Sequence, residues 1–514
     1  MLIHHFLERA AERQPEKNAV WYKNEWTAFG RLELLAKRLA NSLREAGVKR
    51  GDRVAQLYEN SCDYIVAYYA ILKIGAVAVP LSTEVTARSL LFPLIDSGAR
   101  ALITNRRFAR HLPPVLPQTP ELKLLVVDQT DVSAYEKMGL QALRLQDCYE
   151  QGSDNSPDVR VVDRDLASIV YTSGSTGQPK GVMHTHLNMV SNTHSIVEYL
   201  ALTAEDRMMV VLPFYYIYGK SLLNTHFCVG GQLVLDNRFA YPNTVLDTME
   251  QTAPTGFAGV PSTFIILLHK SNLAKRQLPA LRYVTQAGGA MAPAVQKEAV
   301  EVFAPAKVFI MYGATEAAPR LSYLEPDMLP QKWGSIGKAI PNVELFPADQ
   351  EGNPLPPGEV GELAARGSNI MPGYWNDPEG SAQVLRHGLY FTGDLGRMDE
   401  DGYLYVVGRD KDMIKAGGFR VSAKEVEEAL LEMGEIREAA VIGVEDDTLS
   451  EAIKAFIVTA DGAELDDEAV RRHLHDRLPP SRFPKYFDYR SSLPKNEFGK
   501  VMKEQLREEE EKRL

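Results

Sequence analysis

At 514 residues the chain is too long for one hydrophobic core, so a single-domain protein is excluded and at least two domains are expected. Its 45% hydrophobic and 24% charged content is that of an ordinary globular protein and excludes a disordered or fibrous chain. A formal net charge of -11 at pH 7 argues against broad affinity for nucleic acid or acidic membranes.

The only three cysteines, Cys62, Cys148 and Cys228, are far apart and show no metal-ligand spacing, which fits a reduced, cytoplasmic compartment. No apolar run reaches the ~20 residues needed to span a bilayer. The longest candidate, Ile65 to Leu81, is interrupted by Lys73 and Pro80. The N-terminus "MLIHHFLERAAERQP" lacks the basic-then-apolar pattern of a secretion signal.

In chain order, the first helical pattern places Leu32, Leu35, Ala36, Leu39 and Leu43 on one face, with Thr27 as cap and Gly47 as stop. "RVAQLY", "AVAV", "ALIT" and "LLVV" follow as short apolar strands separated by amphipathic runs. The alternation resumes with "MMVVL", "QLVL", "LRYVTQ" and "KVFIMY", and predicts an α/β protein with parallel-rich sheets covered by helices. No repeat of 20–50 residues is present. After about residue 335 glycine and proline become dense, as in "NPLPPGEVGEL", which predicts a small β subdomain. "VSAKEVEEALLEMG" reads as a helix capped by Ser422, with Glu425 three residues on and Gly434 as its stop. "EAAVIGV", "EAIKAFIVT" and a helix from about Asp467 complete a small α+β unit. The boundary falls in the polar segment Arg409–Asp412, giving domains 1–409 and 410–514, and the tail "EEEEKR" reads as a solvated helix end.

Between these elements "YTSGSTGQPKG", Tyr171–Gly181, follows the apolar Ile169-Val170. Its glycines bring backbone N–H groups close to a ligand, its hydroxyls add donors, and Lys180 adds charge, a set suited to a polyphosphate. The spacing is not that of the usual P-loop, because Gly177 precedes Lys180 by three residues and Gly181 follows it. Read alone, the segment is either a phosphate loop or a flexible turn between a strand and a helix.

Together with "QAGGA" at Gln286–Ala290, "YGATE" at Tyr312–Glu316, "GYW" at Gly373–Trp375, "YFTGD" at Tyr390–Asp394, "GRDKDMIKAGGFRVSAKEVE" at Gly408–Glu427 and "LPKNEFGK" at Leu493–Lys500, this loop resembles the motif series of the AMP-forming adenylate-forming superfamily. That superfamily includes acyl-CoA synthetases, amino-acid adenylation domains and luciferases. The resemblance spans nearly the whole chain. It implies a large N-terminal domain binding AMP and the acyl group, and a small mobile C-terminal domain carrying a catalytic lysine. The implied reaction has two halves: a carboxylate attacks the α-phosphorus of ATP, and a thiol then attacks the acyl-adenylate.

The resemblance assigns Thr172, Ser173, Gly174, Ser175, Thr176, Gly177 and Lys180 to the β- and γ-phosphates, and Thr315 to the α-phosphate. Glu316 would help to hold Mg²⁺, a hard cation that prefers oxygen. Gly288, Gly289 and Ala290 would pack beside adenine, with Tyr312 and Gly313 completing the nucleotide site. Asp394 would accept from the ribose hydroxyls and Arg409 would approach the same sugar. Lys500 would reach the carboxylate and the α-phosphate as charge shifts between them, although Glu497-Phe498 depart from the residues usual before that Gly-Lys pair. Lys411 sits at the hinge position, and Gly417, Gly418 and Phe419 would line the channel for a pantetheine thiol.

The acyl pocket is placed by the same resemblance around Tyr216, Tyr218, Phe257, Val260, Ala287 and Ala317. The segment Phe214–Ser221 carries no carboxylate to hold an amine, which favours an apolar acyl or aryl acid over an α-amino acid. Tyr216 replaces the histidine common at this position, and keeps a hydrogen-bonding tip without imidazole's proton chemistry. Lys220 reads as a surface lysine whose stem snorkels, or as a hand for a second polar group on the acid. The expected function is ATP- and Mg²⁺-dependent activation of a small carboxylic acid and its transfer to CoA. The alternative is a freestanding enzyme that loads an acyl or aminoacyl group onto an acyl or peptidyl carrier protein. No nucleic-acid partner and no membrane span are expected.

Overall fold

Arg53–Leu57, Val77–Pro80, Ala101–Thr104 and Leu124–Val127 are largely apolar because they lie side by side as parallel strands with both faces covered. They form the middle of a seven-stranded sheet in a computed structural model that describes residues 1–84, 86–129, 131–172, 179–409, 412–416, 419–446, 450–460, 463, 465–475, 477–496 and 501–512. One edge of this sheet is Gln141–Arg144; the other is the antiparallel pair Leu166–Thr172 and Lys180–Thr185.

A second sheet has nine strands, with Arg207–Val210, Gln232–Leu235, Gly256–Gly259, Tyr283–Gln286 and Lys307–Gly313 parallel at its centre and antiparallel strands at its edges. One core cluster joins Val54, Ala78 and Ile103 of the first sheet to Met208, Leu233 and Ala258 of the second. Helices Phe29–Glu45, Cys62–Lys73, His186–Tyr199 and Ile217–Val229 contribute to that same cluster. Cys62–Lys73 buries every residue from Tyr64 to Lys73, as expected of a helix apolar all round. Buried Lys73 is held there by Glu8 at 2.5 Å and Glu33 at 2.8 Å.

The glycine- and proline-rich stretch forms the expected antiparallel β unit, Val343–Ala348, Val360–Gly367, Leu385–Arg386, Leu389–Met398 and Leu404–Arg409. The C-terminal strands Met413–Ala416, Phe419–Ser422, Ile436–Asp446, Ser450–Thr459 and Tyr486–Tyr489 make a separate sheet with its own apolar clusters. The fold is the expected α/β class. Among the described residues no helix is long and apolar enough to cross a membrane.

Three local expectations meet different outcomes. Ser422 caps the helix Ala423–Leu430 by accepting from the Glu425 N–H at 3.3 Å. Thr27 does not cap the first long helix: it lies in the strand Glu25–Ala28, and Ala28 takes the cap position without a side-chain bond. The charged tail is not merely solvated. In the helix Lys503–Glu511, Leu506 is fully buried with Ala440, Ile442 and Phe456, while Glu510 meets Lys454 at 2.6 Å and Glu509 meets Arg490 at 2.7 Å.

Candidate active site

Thr172 ends one edge strand and stands opposite Lys180, which begins its antiparallel partner. The segment between them therefore joins two antiparallel strands, whereas a P-loop leads from a strand into a helix. Its residues Ser173, Gly174, Ser175, Thr176 and Gly177 lie outside the described residues, as do Lys411, Gly417, Gly418 and Lys500. Phe419 and Arg409 are described by backbone only.

The Lys180 strand is joined by the "GYW" segment. The Trp375 N–H donates to Gly181 O at 2.7 Å and the Met183 N–H to Gly373 O at 3.1 Å. A side chain at Gly181 would meet Ile169 at 3.0 Å and Trp375 at 3.2 Å, so this close pairing needs glycine. Tyr374 is thereby set between two of the expected site residues. The ammonium of Lys180 lies 4.8 Å from its ring centroid and 3.4 Å from Asp377, and the Tyr374 hydroxyl donates to Glu316 Oε1 at 2.8 Å.

Glu316 sits in the single turn Thr315–Ala317 after the strand Lys307–Gly313. Gly313 is required there because a Cβ would fall 1.9 Å from Pro319 O. Thr315 O accepts from His184 Nε2 at 2.7 Å, and burial pulls the His184 ring down to about 4, so it is a neutral positioning group. Asp394, buried on the strand Leu389–Met398, accepts from the Tyr312 hydroxyl at 2.6 Å and stands opposite Arg409 in the antiparallel register. Buried Tyr390 ties the groups together. Burial raises its hydroxyl well above the usual range, and Glu316, Tyr312, Tyr374 and Asp394 push it further. The carboxylates of two motifs 78 residues apart thus share one neighbourhood: Glu316 lies just beyond the C-terminal end of a parallel strand, where open α/β sheets bind ligands, and Asp394 reaches it from an antiparallel strand of the β unit.

Gly288, Gly289 and Ala290 form an exposed turn after the strand Tyr283–Gln286, fixed by Gln286 Nε2 donating to Gly289 O at 2.8 Å. Gly288 has φ +85°, and a Cβ there would lie 3.0 Å from Val260 and 3.3 Å from the Tyr216 hydroxyl. The turn is therefore brought together with Tyr216 and Val260, and Ala287 is buried beside it. Tyr218 reaches the same strand lower down, with its hydroxyl 2.8 Å from Thr285 Oγ1. Phe257 faces the other side of its strand and packs edge-on against Phe264 at 6.3 Å. Ala317 is fully buried in a cluster with Leu321 and Tyr390.

Lys220 is not at the surface. It is 1% exposed, donates to the Tyr64 hydroxyl at 2.5 Å, and lies 4.7 and 4.0 Å from the ring centroids of Tyr64 and Tyr68. Burial holds its ammonium well below the usual lysine range. Tyr374, Asp377, His184 and Arg320 were not assigned roles from sequence; "GYW" was the one signal that pointed towards Tyr374.

A fold of two helix-covered sheets with a β unit and an α+β unit is that of an adenylate-forming enzyme. Residues 7–375 match the family described as AMP-binding enzyme, and residues 425–500 match the AMP-binding enzyme C-terminal domain. The chain belongs to this family. It is 32% identical to a long-chain-fatty-acid–CoA ligase of Bacillus subtilis (strain 168), covering 98% of this chain and 94% of the relative. It is 34% identical to a feruloyl-CoA synthase of an Amycolatopsis species, covering 97% of each. Among solved structures, the anthranilate CoA ligase AuaEII in complex with anthranoyl-AMP superposes with a TM-score of 0.90 at 26% identity, covering 99% of this chain and 97% of that one.

Proposed function

We propose that this protein activates a carboxylic acid with ATP to an acyl-adenylate, releasing pyrophosphate, and passes the acyl group to the thiol of CoA, releasing AMP. The observation that carries the reading is the gathering of Glu316 and Asp394 around Tyr390, each carboxylate held by one tyrosine hydroxyl. Asp394, oriented by Tyr312, is set to accept from the ribose. Glu316 is part-exposed and spends one oxygen on Tyr374. A carboxylate has about four acceptor sites, so the residue retains capacity for a hard cation. Mg²⁺ there would neutralise phosphate charge.

Lys500 is the proposed catalytic cation, Thr172 to Lys180 the phosphate loop, and Gly417, Gly418 and Phe419 the thiol channel. Residues 1–409 and 410–514 are the proposed domains, with rotation about Lys411 between the half-reactions. The aromatic and aliphatic surroundings of Tyr216 and Val260 suit an apolar acyl or aryl group, in keeping with relatives named for a fatty acid and for ferulate. The sparse, unpaired cysteines support a cytoplasmic setting.

The test is acid-dependent pyrophosphate release with ATP and Mg²⁺, followed by addition of CoA to the trapped acyl-adenylate. The reading expects acyl-CoA and AMP. Acylation of a phosphopantetheinylated carrier protein, with CoA inert, would replace CoA as acceptor.

A further inference from the structure

The strand that carries Asp394 is irregular where Asp394 stands. Against the neighbouring strand Val360–Gly367, Phe391 pairs with Ala364 and Leu395 pairs with Glu362, so three residues, Thr392, Gly393 and Asp394, lie opposite the single residue Leu363. This is a β-bulge, a device that bends a strand and re-aims its side chains beside a site. Gly393 takes φ +75° in it, a backbone angle that favours glycine.

A bulge leaves backbone N–H groups without their regular ladder partners, and each needs another acceptor. Two side chains supply them here. The Gly393 N–H donates to Glu362 Oε1 at 2.9 Å, and the Asp394 N–H donates to Thr392 Oγ1 at 3.1 Å. Glu362 is itself held. Its other oxygen accepts from Arg386 Nη2 at 2.9 Å, and the Arg386 guanidinium lies 3.9 Å from the ring centroid of Phe391, at the base of the same bulge. Both oxygens of Glu362 are thus turned to protein donors, and one of them fixes the residue immediately before Asp394. The bulge so fixed delivers the Asp394 carboxylate to the Tyr312 hydroxyl at 2.6 Å.

We propose that Glu362 is a positioning residue for recognition of the nucleotide sugar: it locks the bulge so that the Asp394 carboxylate meets the ribose hydroxyls, and so sets a preference for a ribonucleotide over a deoxyribonucleotide. This rests on the ligase reading above, in which Asp394 accepts from the ribose. Glu362 acts through the Gly393 backbone and not on the nucleotide. A hydrogen bond from a sugar hydroxyl to a charged acceptor is lost when the hydroxyl is absent, and equally when the acceptor is turned away. The bond carries at least about a 10-fold difference in affinity.

The test is calorimetric binding of ATP, 2′-deoxy-ATP and 3′-deoxy-ATP to the full chain, read as the ratio of Kd values. Wild-type protein should bind ATP at least 10-fold more tightly than one of the deoxy forms, and Asp394→Ala should abolish that preference. Glu362→Leu should abolish it as well, with no further change in the ratio when combined with Asp394→Ala. Glu362→Gln keeps an oxygen for the Gly393 N–H and should retain most of the preference. Glu362→Asp, one methylene too short to reach that N–H, should lose it, and decides the matter if Glu362→Leu does not fold. A general loosening of the β unit would weaken all three nucleotides alike and leave the ratio unmoved. Glu362 variants that keep the wild-type ratio, while Asp394→Ala loses it, overturn the inference and leave the ligase reading intact. A wild-type protein that binds all three equally removes Asp394 from the sugar, and the inference with it; one that binds no ATP ends the ligase reading itself.

Discussion

The two ends of the proposed site use tyrosine in opposite ways. At the nucleotide end, tyrosine hydroxyls hold carboxylates: Tyr312 on Asp394 at 2.6 Å and Tyr374 on Glu316 at 2.8 Å. At the acyl end, tyrosine rings hold basic groups: Tyr218 beside Arg320, and Tyr64 and Tyr68 around Lys220. A hydroxyl occupies one acceptor site of a carboxylate, fixes its direction and leaves the rest for ribose or metal. A ring face offsets part of the cost of burying a basic group without supplying an anion. The first arrangement prepares a site for a ligand that every turnover brings. The second keeps basic groups buried against aromatic faces.

The sharpest break in this comparison is Lys500, the cation assigned to the reacting carboxylate and α-phosphate. Lys500→Ala should cut adenylate formation about 10³-fold, the loss typical of removing charge stabilisation aimed at a transition state. Thioester formation from pre-made acyl-adenylate should change far less; an equal fall in both would remove Lys500 from that role. Asp394→Ala comes next. Losing hydrogen bonds to a charged acceptor, about 1.5–3 kcal/mol each, should raise the KM for ATP by 10-fold or more. An unchanged KM would place Asp394 outside the site.

At the acyl end the sign reverses, because the expected gain is in stability. Replacing a buried charge by an apolar side chain of similar size is often neutral or stabilising by about 1–4 kcal/mol, so Lys220→Met should raise the denaturation midpoint at pH 7. Burial holds Lys220 below the usual lysine value near 10.5, so the unfolded chain binds the extra proton between the two values. Wild-type stability should therefore climb as pH rises towards 10.5, and the advantage of Lys220→Met should shrink over that window. A destabilised Lys220→Met, or a gain that does not vary with pH, would mean that Lys220 is charged and well compensated. The smallest effect belongs to Tyr312→Phe. It removes one hydrogen bond while leaving Asp394 in place, about 1–2 kcal/mol, and should raise the KM for ATP several-fold without altering acid preference.

The motifs proposed for the nucleotide end were readable in the sequence because their groups come in short contiguous stretches. The parallel strands were legible as well, since "ALIT" and "LLVV" are apolar on both faces for a reason that periodicity reports. What the sequence hid depends on partners far along the chain. Tyr374 meets Glu316 across 58 residues, and Tyr312 meets Asp394 across 82. Lys220 reads as a surface lysine until the helix Cys62–Lys73 brings Tyr64 and Tyr68 around it. Arg320 looks like any strand arginine until burial removes the water that would have solvated it. The tail "EEEEKR" reads as solvated because the side chain that anchors its helix, Leu506, lies before it as a single apolar residue among charges.

The most direct measurement is a double-mutant cycle on Asp394→Asn and Tyr216→Ala, reading the KM for ATP and the ranking of kcat/KM over a panel of alkyl and aryl acids. If the two ends are separately built, Asp394→Asn raises the KM for ATP and leaves the ranking alone. Tyr216→Ala changes the ranking and leaves the KM for ATP alone, and the double variant adds the two within about 0.5 kcal/mol. A Tyr216→Ala protein that loses ATP affinity as much as Asp394→Asn, with the ranking unchanged, would contradict the division of the site.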